Sequence, residues 1–318
     1  MTTAGEQNWT TRTLLKWMGD AFKKRELDDP RRLAEMLVAH VLSCDRLKLY
    51  MDADRPASPL ERSRLRDLVG RALNHEPIQY LVGEEWFYGM AFKVDRRVLI
   101  PRPATETIVD HVLNHARATF GKAGDGVLFA DVCTGSGCVA ITLLKNLPGA
   151  RAIATDISPD ALDVARENAR RHGVDDRMEL ILGDLLSPVR EHPVAGRDGA
   201  LQYLVSNPPY IPDDEWGAVA PNVKDHEPHL ALRGGADGLD YVRRLLDGGP
   251  ELLRADGLML IEVADSRARH ALALAEGVST LAEARVLNDF EGLPRVVVAA
   301  RTREPVAVSA GVSQRSRG

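Results

Sequence analysis

From residue 127 onward the chain alternates short apolar runs with amphipathic ones, and few architectures accept that pattern. Val127-Leu128-Phe129-Ala130-Asp131-Val132 is a continuous apolar run broken by one acid, as expected of a parallel strand buried on both faces. The pattern predicts a helix over Val139–Leu147, a strand over Arg151–Asp156 and a helix over Pro159–His172. That last helix carries Ala161, Val164, Ala165 and Ala169 on one side. Strands are predicted at Met178–Leu182 and Leu201–Ser206, a helix over Asp240–Leu253 and a strand over Leu258–Val263. Final strands follow at Ala284–Leu287 and Arg295–Ala300. Repeated βα units of this kind predict an α/β fold with a doubly wound, mostly parallel sheet.

The first third reads differently. Leu14, Trp17, Met18, Ala21 and Phe22 recur at helical spacing, as do Leu33, Met36, Leu37 and Val41, and then Leu65, Leu68, Val69, Ala72 and Leu73. These three stripes predict a small helical bundle over about residues 10–75, with Pro30 and Ser58-Pro59 at helix starts. Trp86-Phe87-Tyr88, Gly89 and Ala91-Phe92-Lys93-Val94 predict a β-hairpin, and a helix should follow from Thr105 to Phe120. The expected organisation is a helical domain over 1–82, a hairpin linker over 83–100, a catalytic domain over 101–303 and a disordered tail over 304–318.

Charge narrows the partners. The net charge is −5, divided as +2 over residues 1–82 and −7 over the rest. Neither part has the basic excess with which proteins neutralise nucleic-acid phosphates, so no direct nucleic-acid binding is expected. No apolar stretch approaches the roughly 20 residues of a membrane helix. Residues 1–10 lack the basic and apolar regions of a secretory signal. Cys44, Cys133 and Cys138 do not make a disulfide framework and fit a reducing cytoplasm. No Cys/His spacing suggests a metal site.

Two segments carry the chemistry. Asp131-Val132-Cys133-Thr134-Gly135-Ser136-Gly137 falls at the first strand-to-helix turn, where Gly135 and Gly137 let the backbone turn sharply and approach a ligand. Asp156 ends the next strand, 21 residues after Gly135, where an acid can accept both hydroxyls of a ribose. Asp184, with Leu185 beside it, follows the third strand and is placed to meet an adenine amine. Gly135-x-Gly137-x-x-Ala140 also matches a dinucleotide fingerprint, and Asp156 would suit NAD. Asp131 favours S-adenosyl-L-methionine instead: an acid beside the loop neutralises an ammonium and repels a pyrophosphate.

The second segment is Asn207-Pro208-Pro209-Tyr210, after the apolar run Tyr203-Leu204-Val205. Two prolines fix two φ angles and remove two donors, and Asn207 is pushed out of the helical region. Pro-Pro alone makes only a rigid turn. Here the Asn207 amide oxygen and a backbone carbonyl offer two acceptors, which suit a substrate presenting an –NH2 group. A tetrapeptide of this kind at a strand end looks like that of methyltransferases acting on amide or amino nitrogens.

The chain as a whole resembles the release-factor glutamine methyltransferases, the PrmC/HemK family of class I S-adenosylmethionine-dependent methyltransferases. The resemblance rests on Pro77-Ile78-Gln79-Tyr80-Leu81-Val82-Gly83, similar to the family's hinge into its hairpin, and on Val98-Leu99-Ile100-Pro101-Arg102-Pro103-Ala104-Thr105-Glu106. It rests further on Thr134–Gly137, the tetrapeptide, His226-Glu227-Pro228 and Ala231–Asp240. It implies a Rossmann-like methyltransferase sheet and methylation of the glutamine in the Gly-Gly-Gln motif of class 1 peptide-chain release factors. It also implies that the helical domain recognises the substrate. The implied cofactor contacts are Asp131, Cys133, Thr134, Gly135, Ser136, Gly137, Asp156, Asp184, Leu185 and Asn207. The implied catalytic and substrate contacts are Asn207, Pro208, Pro209 and Tyr210, with Tyr210 against the amide plane and Glu227-Pro228 positioning the tetrapeptide loop.

Three departures stand out. Cys133 replaces a frequent Gly and needs either φ below zero or local strain. Ala104 replaces a Glu, and Glu262-Val263-Ala264-Asp265 departs from Glu-x-Gly followed by Gln. The sister enzyme that methylates a large-subunit ribosomal protein shares the hairpin and tetrapeptide and remains an alternative. An adenine-amino methyltransferase on nucleic acid and a non-catalytic scaffold are others.

Overall fold

The computed structural model describes residues 9–27 and 29–302, so the tail expected over 304–318 lies outside the described residues. They divide into two compact units. One runs up to Glu84 and includes Ala220–His226; the other comprises Glu85–Val219 and the chain from Glu227 onward.

The first unit is helical. Helices α1 (Thr11–Lys24), α2 (Pro30–Leu42), α3 (Arg46–Met51), α4 (Pro59–Leu73) and α5 (Ile78–Val82) follow one another. Their starts are set by side chains that satisfy otherwise orphaned backbone donors. Ser58 accepts from Glu61 N while Glu61 reaches back to Ser58 N, a capping box. Asp29 and Asp45 cap α2 and α3. Met18, Phe22, Leu37, Val38 and Leu65 form the core. Two details refine the sequence reading. Trp17 belongs to the first stripe yet is 44% exposed, its ring edge-on to Trp9. Pro77–Gly83, expected as a hinge, forms α5, which places Ile78 and Leu81 in this core and stops at Gly83 in the left-handed region.

The second unit opens with the hairpin of β1 (Glu84–Phe87) and β2 (Met90–Lys93). Tyr88 and Gly89 both have positive φ, 51° and 73°, as a two-residue hairpin turn that follows the strand twist requires. Helix α6 (Glu106–Phe120) leads into β3 (Leu128–Val132), α7 (Cys138–Asn146), β4 (Arg151–Asp156), α8 (Pro159–His172), β5 (Met178–Leu182), α9 (Ser187–Glu191) and β6 (Leu201–Ser206). A short helix α10 (Pro221–Lys224) lies in the excursion assigned to the first unit. Then come α11 (Asp240–Gly248), β7 (Leu253–Glu262), α12 (Ala268–Glu276), β8 (Leu281–Asn288) and β9 (Pro294–Arg301).

The seven-stranded sheet has the order β5-β4-β3-β6-β7-β9-β8. β3 through β7 are parallel to their neighbours, while β9 runs antiparallel to both β7 and β8. Alternation along the strands feeds two cores. Phe129, Tyr203 and Leu260 face one, and Ala130, Leu204 and Met259 face the other. The helix predicted to reach Leu253 stops at Gly248: Pro250 has no backbone donor to continue it, and β7 begins at Leu253 rather than Leu258. The sequence order of strands reverses between β3 and β6. In an open α/β sheet that crevice, beyond the strand ends, receives the ligand.

Candidate active site

The loop after β3 is shaped by three residues with positive φ: Cys133 at 63°, Gly135 at 55° and Gly137 at 79°. A Cβ on Gly137 would stand 2.9 Å from Ile141 Cδ1 and 3.3 Å from Ala165 Cβ, so a side chain there would be crowded as well as conformationally strained. Cys133 has taken the strained option and keeps a side chain in the left-handed region. Thr134 N donates to Thr155 O at 2.9 Å, and Gly135 N donates to Asp156 Oδ2 at 2.9 Å, which ties the loop to the end of β4. Asn168, which no sequence pattern singles out, is wholly buried. It donates to Ser136 O at 2.9 Å and accepts from Lys93 N at 2.7 Å, joining loop, α8 and hairpin.

Three acids meet here, each held differently. Asp131 is buried, accepts from the Thr134 hydroxyl at 2.7 Å and from Ala140 N at 3.2 Å, and burial pushes its carboxyl up to about 7. Asp156 also accepts from Ser158 N at 2.9 Å, and desolvation raises its pKa. Asp184 is half exposed and ion-paired with Arg244. Burial, and then the negative Asp156, push the Cys133 thiol up, so it is an inert neutral group here.

These residues open on a cavity of 240 Å³. Of the residues expected to hold a cofactor, Asp131, Cys133, Thr134, Gly135, Ser136, Asp156, Asp184, Leu185 and Asn207 line it; Gly137 stands behind the loop wall. Ile157, Tyr241 and Leu230, not anticipated, add apolar and aromatic surface. The two arginines on the lining are already engaged, Arg97 by Asp95 at 2.7 Å and Arg244 by Asp184. Among the described residues, Asp131 and Asp156 have no such counter-ion. The lining therefore suits a cationic ligand bearing a ribose and a flat ring, and opposes a pyrophosphate.

Asn207 leaves β6 at the cavity edge. Its Nδ2 donates to Thr105 Oγ1 at 3.1 Å, a bond across 102 residues of sequence, which leaves Oδ1 as the free acceptor. Pro209 lines the cavity; Pro208 is buried and absent from the lining. Tyr210 is also absent from the lining. It turns toward Glu262, and burial and that neighbour raise its pKa. The exit from the tetrapeptide is fixed by Ile211 N to Leu232 O and Gly234 N to Ile211 O, both 2.9 Å. A Cβ on Gly234 would lie 2.7 Å from Tyr210 Cα, so the Gly234-Gly235 segment buttresses this turn. Glu227 acts elsewhere than at the tetrapeptide: it is buried, accepts from Ile100 N at 3.0 Å and pairs with Arg102, anchoring the segment before α6. Glu106 accepts from Tyr88 N at 2.7 Å and braces the hairpin turn.

A glycine-containing loop at the switch point of a parallel sheet, an uncompensated acid closing the next strand and Asn-Pro-Pro-Tyr closing the fourth belong to an S-adenosylmethionine-dependent methyltransferase. Comparison with known proteins narrows the class. Residues 13–83 match the PrmC N-terminal domain and residues 129–226 a methyltransferase domain. The chain is 41% identical over 291 residues to the release factor glutamine methyltransferase of Chlorobaculum tepidum, covering 91% of this chain and 97% of that one. It is 38% identical over 273 residues to that of Cereibacter sphaeroides, covering 86% and 92%. Among solved structures, the catalytic domain of hMettl16 shares the fold, with a TM-score of 0.50 and 15% identity over 70% of this chain and 78% of that one. The chain belongs to the release factor glutamine methyltransferase family. Among the described residues no helix is long and apolar enough to cross a membrane.

Proposed function

We propose that this enzyme transfers a methyl group from S-adenosylmethionine to the side-chain amide nitrogen of the glutamine in the Gly-Gly-Gln motif of class 1 peptide-chain release factors, in the cytoplasm. The observation that carries the reading is Asn207. With Nδ2 engaged by Thr105, Oδ1 is left to accept one N–H of a substrate amide; the family resemblance supplies the Pro208 carbonyl as the second acceptor, although the Pro208 side chain is buried off the cavity lining. A glutamine nitrogen is a poor nucleophile because its lone pair is delocalised into the carbonyl. S-adenosylmethionine, when bound, would supply an electrophilic methyl on sulfur, with the neutral thioether as the leaving group.

The chain's own residues contribute position and fixed dipoles. Asn207 and Pro208 hold the nitrogen and stabilise the positive charge that develops on it. The alkylated nitrogen is acidic and releases one proton to solvent, so no strong general base is needed. Asp131, the glycine loop and Asp156 hold the cofactor. The helical unit recognises the protein substrate and has no catalytic constellation of its own; the names of the relatives support that partner.

The test is methyl transfer to a release factor by Asn207→Ala and Asn207→Asp. Loss of one preorganised acceptor should lower turnover about a hundredfold to a thousandfold, with cofactor affinity changed far less. Asn207→Asp should also lower turnover, because a full charge stabilises the concentrated cationic ground state more than the dispersed transition state. A near-normal rate for Asn207→Ala would rule the mechanism out.

A further inference from the structure

Glu262 ends β7, and the parallel register pairs Ser206 with Ile261. The next residues on the two strands, Asn207 and Glu262, therefore stand side by side at the sheet's carboxyl edge. Glu262 is wholly buried, and among the described residues neither carboxylate oxygen meets full hydrogen-bond geometry with a donor. A buried, unpartnered carboxylate is costly, and an apolar residue there would be cheaper to bury. Two hydroxyls stand against it, close enough to favour its charged form though not at full hydrogen-bond geometry, those of Thr105 and Tyr210. Both belong to the substrate end of the site. Thr105 Oγ1 accepts from Asn207 Nδ2, and Tyr210 closes the tetrapeptide. An oxygen that accepts from Nδ2 must send its own proton elsewhere, and Glu262 is the carboxylate facing it.

We propose that the Glu262 carboxylate is a positioning residue for methyl transfer: as acceptor for the Thr105 and Tyr210 hydroxyls, it aims a Thr105 lone pair at Asn207 Nδ2 and so holds Asn207 Oδ1 toward the reacting nitrogen. This rests on the function proposed above. The ionised form does the work. Burial pushes the Glu262 carboxyl up to about 7; the Thr105 and Tyr210 hydroxyls, and after them Arg295 and Arg102, favour the anion, and Cys138 completes its surroundings. Turnover at saturating cofactor should therefore rise with pH through that range. Asp131 titrates nearby but at the cofactor end, so its protonation should appear in the cofactor KM rather than in kcat.

Glu262→Gln keeps the shape and removes the charge. It should lower kcat about tenfold to a hundredfold, as a modest misplacement of a reacting group does, leave the cofactor KM unchanged and abolish the acid limb of kcat. A second readout needs no substrate. The Asn207 side-chain amide signal of the 15N-labelled enzyme should titrate with the same midpoint in the wild type and stay flat in Glu262→Gln. Should that variant fail to fold, Thr105→Val cuts the same link and should flatten the Asn207 signal, while Thr105→Ser restores it. An Asn207 signal that still titrates in the folded Glu262→Gln or Thr105→Val protein overturns the proposal. So does wild-type kcat with the acid limb intact. If the wild type transfers no methyl to release factor, the reading of function fails, yet the amide titration still decides the role of Glu262.

Discussion

Asp156 offers the sharpest test of how the cofactor is held, because both of its oxygens are accounted for. Oδ2 takes the Gly135 N–H and Oδ1 the Ser158 N–H, each at 2.9 Å. In Asp156→Asn one of these positions becomes an –NH2 facing a backbone N–H, a donor against a donor. One charge-assisted bond is lost outright, at about 1.5–3 kcal/mol. The ribose hydroxyl expected on the same oxygen goes with it, for a similar amount. Because the N–H bond is already made in the free protein, only the ribose share of about 1.5–3 kcal/mol enters the affinity, a loss on the order of tenfold to a hundredfold. Desolvation raises the pKa of Asp156, so the comparison belongs at alkaline pH, where the wild-type group is charged. Titration calorimetry with S-adenosylmethionine measures it, with NAD as the ligand that should give no heat. Unchanged affinity in a folded Asp156→Asn protein, or NAD binding by the wild type, would refute the reasoning.

Gly137→Ala should destabilise the second unit by about 2–4 kcal/mol, combining left-handed strain with overpacking against Ile141 and Ala165; a thermal melt within error of wild type would contradict this. Asp131 and Glu262 are both raised to about 7 from the ordinary carboxyl values of 3.8 and 4.5. The folded protein thus binds more protons than the unfolded one between those values, and stability should fall as pH rises through that window and level off above it. Glu262→Gln removes one such contribution. Its stability relative to wild type should improve by up to about 3 kcal/mol between about pH 4 and about pH 8, and denaturant melts that stay parallel across that range would count against it.

The cofactor half of the site could be read from local sequence because its parts are set by spacing along two βα units. Asp131, Gly135 and Asp156 lie within 26 residues, and a strand-turn-helix repeat fixes what each can do. The substrate half could be read only as the tetrapeptide. Its support comes from Thr105, 102 residues away, and from Glu262, which strand order alone brings beside Asn207. A buried polar residue in an apolar strand end is a signal for such a role, but it does not name its partner. Tyr210 was expected at the cavity because sequence gives no side-chain direction; packing turns it to Glu262. The end of α11 is missed by periodicity alone, because Leu252 and Leu253 continue the apolar pattern past the Gly249-Pro250 stop, and the membership of Ala220–His226 in the helical unit has no periodic trace.

The atom that receives the methyl group can be identified directly. Purified release factor would be incubated with the enzyme and S-adenosylmethionine, digested, and its Gly-Gly-Gln peptide fragmented by mass spectrometry. A release factor with that Gln replaced by Ala serves as the blank, and the large-subunit ribosomal proteins as competing substrates. The account requires one methyl group on the glutamine side chain of the release factor, none on the blank and none on the ribosomal proteins. Equal labelling of the blank, or methyl on a ribosomal glutamine in place of the release factor, would contradict it.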